Sequence, residues 1–126
     1  MIQHIKRHFD FIEMRSTPLK AFTHSFVLQL RPNNVGTVRV GFTVSKKIAK
    51  HAVVRNKLRR QMREIVRLNQ RLEQLYPAHD LILIAREEAL NRSFQQLSQD
   101  FDYLLTHVKD ISHESEADDK TEKYRR

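Results

Sequence analysis

Between Ser45 and Leu72 the chain carries a run of side chains able to do one kind of chemistry, the binding of phosphate. Lys46, Lys47, Lys50, Arg55, Lys57, Arg59, Arg60, Arg63, Arg67 and Arg71 are ten of the chain's 23 basic residues, and Glu64 is the only acid among them. Acids slightly outnumber bases in the rest of the chain, so almost all of the net charge of +8 originates in this stretch. A field that concentrated points to a polyanionic partner. Arginine prevails over lysine after Lys57. Its planar guanidinium grips phosphate oxygens with two parallel N–H bonds and stacks on bases, whereas an ammonium acts as a point charge.

Helical phase divides the stretch in two. At about 100° per residue, Leu58, Met62, Ile65, Val66, Leu68 and Leu72 share one side. Arg59, Arg60, Arg63, Arg67 and Arg71 share the other, with Asn56 among them. A helix from about Val53 to Leu72 therefore packs one side on the rest of the protein and presents an arginine face. A merely solvated face mixes signs to relieve repulsion. Here Arg59, Arg63, Arg67 and Arg71 follow one another at i, i+4 with like charge, which is unfavourable by a few tenths of a kcal/mol per pair. Asn56, near the helix start, either caps it or contacts a base or ribose. Lys46, Lys47 and Lys50 lie in the loop before it.

Other chemistry has little support. The seven histidines are scattered. His4 and His8 have the i, i+4 spacing of a metal clamp but no compelling third ligand, so no metal site is expected. Glu87 with Glu88, and Asp100 with Asp102, are close in sequence without an acid–base partner. Gly36 and Gly41 are the only glycines, which leaves no phosphate-cradling loop. No nucleophile triad is visible, so no catalytic residue is expected in this chain.

The elements that hold the basic helix can be read on either side of it. Ile5 to Met14 has helical apolar spacing and is followed by Pro18, which stops a helix. Phe26, Leu28 and Leu30 alternate with Val27, Gln29 and Arg31, and Thr37 to Val44 alternates again, so both are strands. A break near Thr23–Ser25 allows a further strand before Phe26. Pro32, Asn33, Asn34 and Gly36 are turn residues, and the two long strands are expected to pair as an antiparallel hairpin. Asp80 to Ala85 is continuously apolar after its first residue, which suits a strand buried on both faces. A last helix, about Ser93 to Val108, has a cap among Asn91–Ser93.

The expected fold is a small α/β (α+β) two-layer sandwich in the order α-β-β-(β)-α-β-α, with helices packed on one mixed sheet. The step through the basic helix to strand 80–85 is a parallel crossover, a unit right-handed in nearly all folds. At 126 residues this is one domain, over 1–109, with a charged and disordered tail over 110–126. The chain has no cysteine, which suits a reducing, cytoplasmic location. It has no apolar run long enough for a membrane span. The first residues lack the apolar core of a secretion signal. No membrane and no obligatory protein partner are expected.

The run VGFTVSKK followed by AVVRNKLRRQMRE resembles the protein subunit of bacterial ribonuclease P. That family carries Ser-Lys-Lys, then Ala-Val, then an Arg-Asn-Arg-x-Lys-Arg-x-x-Arg signature, here Arg55 to Arg63. Lys57 stands where arginine is preferred and Arg59 where lysine is usual, with charge kept at both. Asp10-Phe11, the strand Asp80 to Arg86 and the last helix also fit, so the likeness covers about residues 5 to 108. It implies that the RNA subunit, using Mg²⁺, hydrolyses precursor tRNA to leave the mature 5′ end. It implies that the protein binds ribonuclease P RNA through Lys46, Lys47, Lys50, Arg55, Asn56, Lys57, Arg59, Arg60, Arg63 and Arg67. It further implies a cleft for the 5′ leader of precursor tRNA between the first helix and the sheet, here with Phe11, Arg15, Val27 and Gln29. Arg15 and Gln29 replace aromatics usual in the family, and Pro18 replaces a glycine. The likeness also implies a left-handed crossover around the basic helix. Two other readings of the charge are a DNA-binding module, with an arginine helix in a major groove, and a structural RNA-binding protein of the ribosome.

Overall fold

The computed structural model describes residues 2–5, 17 and 19–110. The expected helix from Ile5 to Met14, with Phe11 and Arg15, lies outside them apart from Ile5, as do Pro18 and residues 111–126 of the expected tail.

Among the described residues six strands form one sheet: β1 (Ile2–His4), β2 (Leu19–Phe22), β3 (Phe26–Pro32), β4 (Val38–Thr43), β5 (His79–Ala85) and β6 (Lys109–Asp110). Their spatial order is β1-β4-β5-β3-β2-β6. The sheet is mixed. β4 runs parallel to both β1 and β5, while β3 is antiparallel to β5 and to β2, and β6 is antiparallel to β2. Among the described residues the helices are α1 (Ala52–Leu68), a single turn α2 (Leu72–Leu75), a 3₁₀ turn at Glu87–Asn91, and α3 (Phe94–Thr106). The class, the two strands either side of Thr23–Ser25 and the parallel step from β4 through α1 to β5 are as the sequence predicts.

The expected hairpin is not formed. The turn residues between β3 and β4 do make a turn: the Asn33 side-chain carbonyl accepts from the amides of Val35 (3.0 Å) and Gly36 (3.3 Å). Gly36 sits there at φ 87°, a conformation that favours glycine. Yet β5 lies between the two strands and pairs with both, Leu28 with Leu83 on one side and Val40 with Leu81 on the other. The reason is burial. β5 is the most apolar strand, and the centre of the sheet is where both its faces are covered: Leu81, Ile82 and Leu83 are all buried.

Alternation along the strands sorts the two faces. Phe26, Leu28 and Leu30, with Val38, Val40, Leu81 and Leu83, meet Leu58, Met62, Ile65 and Val66 of α1 and Leu97, Phe101, Leu104 and Leu105 of α3 in one core. The opposite face carries the smaller cluster Ile5, Ile82 and Ile84.

The basic helix ends four residues earlier than its periodicity predicts. Asn69 breaks it, because its side-chain oxygen accepts from the amides of Arg71 (2.8 Å) and Leu72 (3.2 Å) and starts the next helical turn instead. Leu72 is thus buried from α2, and Leu68, expected on the packed side, is 53% exposed. The last helix starts as its sequence indicates. Ser93 Oγ accepts from the Gln96 amide (3.1 Å), and Gln96 Oε1 accepts from the Ser93 amide (2.9 Å), a reciprocal cap. Ser93→Ala is expected to destabilise the protein by about 1 kcal/mol. Thermal denaturation checks this, with a melting point lower by about 4 °C.

Candidate nucleic-acid interface

The loop before α1 is held from beneath. After Val44, buried just past the end of β4, the chain turns so that the amides of Ile48 and Ala49 donate to the Ser45 carbonyl. Ala49 is buried and Ile48 packs on the core, which leaves Lys46, Lys47 and Lys50 exposed. Arg55, on the first turn of α1, reaches back and donates from Nη1 to the carbonyls of Ala49 (3.0 Å) and Lys50 (2.8 Å). It clamps the lysine loop to the helix, a positioning role that neither charge nor spacing revealed. The helix start has no side-chain cap and no acid in its first turn. The positive end of its dipole therefore adds to the field of the lysines.

Along α1 the cations are not equivalent. Asn56 is the fifth residue of the helix, so it does not cap it; its Oδ1 accepts from Arg59 Nη1 (3.0 Å). Arg59 is half-buried. Lys57, Arg60 and Arg63 are exposed, and Arg60 and Arg63 have no hydrogen-bond or ion-pair partner among the described residues. Arg67 is engaged by Glu64, donating from Nε (3.1 Å) and Nη2 (2.5 Å) to its two carboxylate oxygens. That hydrogen bond holds the Glu64 carboxyl below its ordinary range and raises Arg67. Being exposed, the pair adds little to stability. Arg71 leaves the arginine face altogether: it lies beyond the end of α1 and donates from Nη1 to both oxygens of Asp102 on α3 (2.7 and 2.8 Å).

The surface so built runs about 25 Å along the 17-residue helix, with lysines at one end and freely presented guanidinium groups at its middle. It can hold successive phosphates of a nucleic acid. The expected cleft residues Val27 and Gln29 are elsewhere. They alternate with the core-facing Phe26, Leu28 and Leu30, so they point away from the helix layer, and both are half-buried. Gln29 pairs in register with Ile82 and Lys20, and Val27 with Ile84 and Phe22. The structure thus sets the basic face and these two residues on opposite sides of the sheet.

Among the described residues no group of three or more His, Cys, Asp or Glu side chains is arranged to hold a metal ion. None of their helices is long and apolar enough to cross a membrane.

Together the mixed sheet, the helix packed on it and the one-sided arginine face define a small α+β protein built to hold a polyanion. The ribonuclease P family model matches residues 2–109. A ribonuclease P protein component from Idiomarina loihiensis is 38% identical over 97 residues, which span 77% of this chain and 74% of that one. Another from Paramagnetospirillum magneticum is 33% identical over 130 residues, 94% of this chain and 92% of the relative. Among solved structures, the Staphylococcus aureus RNase P protein superposes with a TM-score of 0.71 at 29% identity, over 82% of this chain and 92% of that one. The Thermotoga maritima RNase P protein has the same fold, with a TM-score of 0.71 at 23% identity, over 83% of this chain and 97% of that one. The chain belongs to the bacterial ribonuclease P protein family.

Proposed function

We propose that this chain is the protein subunit of a ribonuclease P ribonucleoprotein and assists removal of the 5′ leader from precursor tRNA. The observation that carries this reading is the arginine face of α1, with Arg60 and Arg63 exposed and without partners among the described residues, in a chain of this family. The face from Lys46 to Arg67 binds ribonuclease P RNA by neutralising its phosphates. The leader of precursor tRNA lies against the opposite face of the sheet, at Val27 and Gln29, and the family likeness adds Phe11 and Arg15 to the residues that contact it. Hydrolysis belongs to the RNA subunit, which would use Mg²⁺ for it. The protein lowers the concentration of Mg²⁺ that the reaction requires, because its cations take over part of the neutralisation. Its place of work is the cytoplasm.

Reconstitution tests this. Adding the folded protein to a bacterial ribonuclease P RNA at low Mg²⁺ is expected to restore cleavage of precursor tRNA to the mature 5′ end. No stimulation by a folded sample sinks the proposal. Preferential binding to duplex DNA in competition favours the DNA-binding reading instead, and sedimentation with ribosomal particles without rescue of cleavage favours the ribosomal one.

A further inference from the structure

Beside the arginine face, between α1 and the β1–β4 edge of the sheet, is a slot of about 300 Å³. That volume is at the lower end of the range of small-ligand pockets. Its floor is apolar, made by Ile2, Val40, Phe42 and Val66. Phe42 is half-buried, and the His4 ring leans on it at 6.1 Å between centroids and 53°. Arg60 and Arg63 stand at the slot, and the Glu64–Arg67 pair completes its wall.

A row of phosphates does not call for an apolar floor, and an apolar peptide does not call for two cations at the mouth. One ligand class needs both: a nucleotide whose base has left its stack. Its flat face seeks apolar or aromatic surface, its phosphate seeks guanidinium, and its edge seeks hydrogen bonds. Glu64 supplies the third element. It is the only acid in the whole basic stretch, and it is an acceptor held in place by two bonds from Arg67.

We propose that this slot takes one unstacked base of the RNA that the basic face holds, with guanine preferred. The inference rests on the RNA-binding reading above and adds a specificity element to it. The base lies against Ile2 and Phe42 while Arg60 and Arg63 hold the adjoining phosphates. Guanine offers N1–H and N2–H side by side, a two-donor fork that takes the place of the Arg67 fork on the Glu64 carboxylate and frees that guanidinium for phosphate. Uracil flanks its single N–H with two carbonyl oxygens, which a carboxylate repels. Glu64 is thus a selecting group within a field that otherwise attracts every phosphate alike.

The test uses the full-length, ¹⁵N-labelled protein, titrated separately with the 5′-monophosphates of guanosine, adenosine, cytidine and uridine and with ribose 5-phosphate. The guanosine nucleotide is expected to shift the amides of Ile2, Val40 and Phe42 and to bind several-fold more tightly than the uridine nucleotide. Ribose 5-phosphate is expected to shift α1 alone. Phe42→Ala is expected to weaken nucleotide binding about tenfold, within the range of a lost stacking partner. Glu64→Gln, a fully polar change at a solvent-accessible position, is expected to bring the guanosine-to-uridine ratio close to one. Identical shifts from the guanosine nucleotide and ribose 5-phosphate overturn the proposal, as does a ratio unmoved by Glu64→Gln. Binding of ribonuclease P RNA is measured in parallel. A protein that binds that RNA but shows no base-dependent shift contradicts the slot alone. One that takes the guanosine nucleotide in the slot and leaves the RNA unbound contradicts the reading of function.

Discussion

Replacing Arg60 and Arg63 together by alanine is expected to weaken binding to ribonuclease P RNA by about a hundredfold or more at low salt. Each side chain is exposed and without a partner among the described residues, so each is free to make charge-assisted bonds worth about 1.5–3 kcal/mol. The salt dependence changes as well. Each lost phosphate contact removes a released counterion, so the slope of log affinity against log salt falls by about 0.7–0.9 per contact. The neighbouring arginines are poorer targets. Arg59 is half-buried and tied to Asn56, Arg55 is spent on the carbonyls of Ala49 and Lys50, and Arg67 is held by Glu64. Arg59→Ala with Arg67→Ala is therefore expected to have the smaller effect on the slope. Stability of the Arg60/Arg63 double variant stays within about 0.5 kcal/mol of the parent, as usual for exposed positions. Filter binding or fluorescence titration across a salt series checks the prediction. An unchanged slope means that the face is only solvated.

That ranking of arginines shows where sequence stops being informative. Helical phase placed Leu58, Met62, Ile65 and Val66 on the packed side and Arg60 and Arg63 on the other, because phase depends only on local geometry. Phase takes no account of Asn69, which diverts the chain, so it assigns Leu68 and Arg71 to faces they do not occupy. Nor could it separate Arg60 from Arg55, since the difference lies in which carbonyls and carboxylates come within 3 Å after folding. β1 went unread for the same reason. Three residues carry too little periodicity to register as a strand, and the pairing of Ile2 with Val38 spans about a third of the sheet's chain length. The base-sized slot depends on β1 and was illegible with it. The hairpin expected of β3 and β4 does not form because turn chemistry at Asn33–Gly36 specifies a local reversal, not who pairs with whom. The apolar content of β5 decides that, by claiming the centre.

Asp80 is the residue whose importance local reading most understated, and its replacement is expected to have the largest effect on stability. It is the second residue of the most buried strand and is itself 0% exposed. Arg39 donates to its two oxygens from Nε (2.7 Å) and Nη2 (2.6 Å), Asn33 donates to Oδ1 (2.8 Å), and Arg31 Nη2 lies 3.5 Å from Oδ2. The same carboxylate thus joins β3, β4, β5 and the turn between β3 and β4. Asp80→Ala takes both carboxylate bonds from the Arg39 guanidinium, which is 21% exposed, and puts an apolar methyl in their place. Breaking a buried pair from one side costs about 3–5 kcal/mol, a fall in melting temperature of roughly 10 °C or more for a domain of this size. The pH dependence follows from opposing influences. Burial pushes the Asp80 carboxyl up, but hydrogen bonds from Arg39 and Asn33, with the charges of Arg39 and Arg31, outweigh it and hold the carboxyl below its ordinary value. A group lowered on folding stabilises the native state fully above its unfolded value, about 3.9. That stabilisation is lost as pH falls from there through the folded value. Asp80→Asn keeps the shape without the charge, so its deficit against the parent is expected to be constant from pH 7 to about pH 5 and to shrink below about pH 4. Urea denaturation of both proteins across that range measures it. A deficit that does not change with pH means that Asp80 contributes through packing and hydrogen bonds alone.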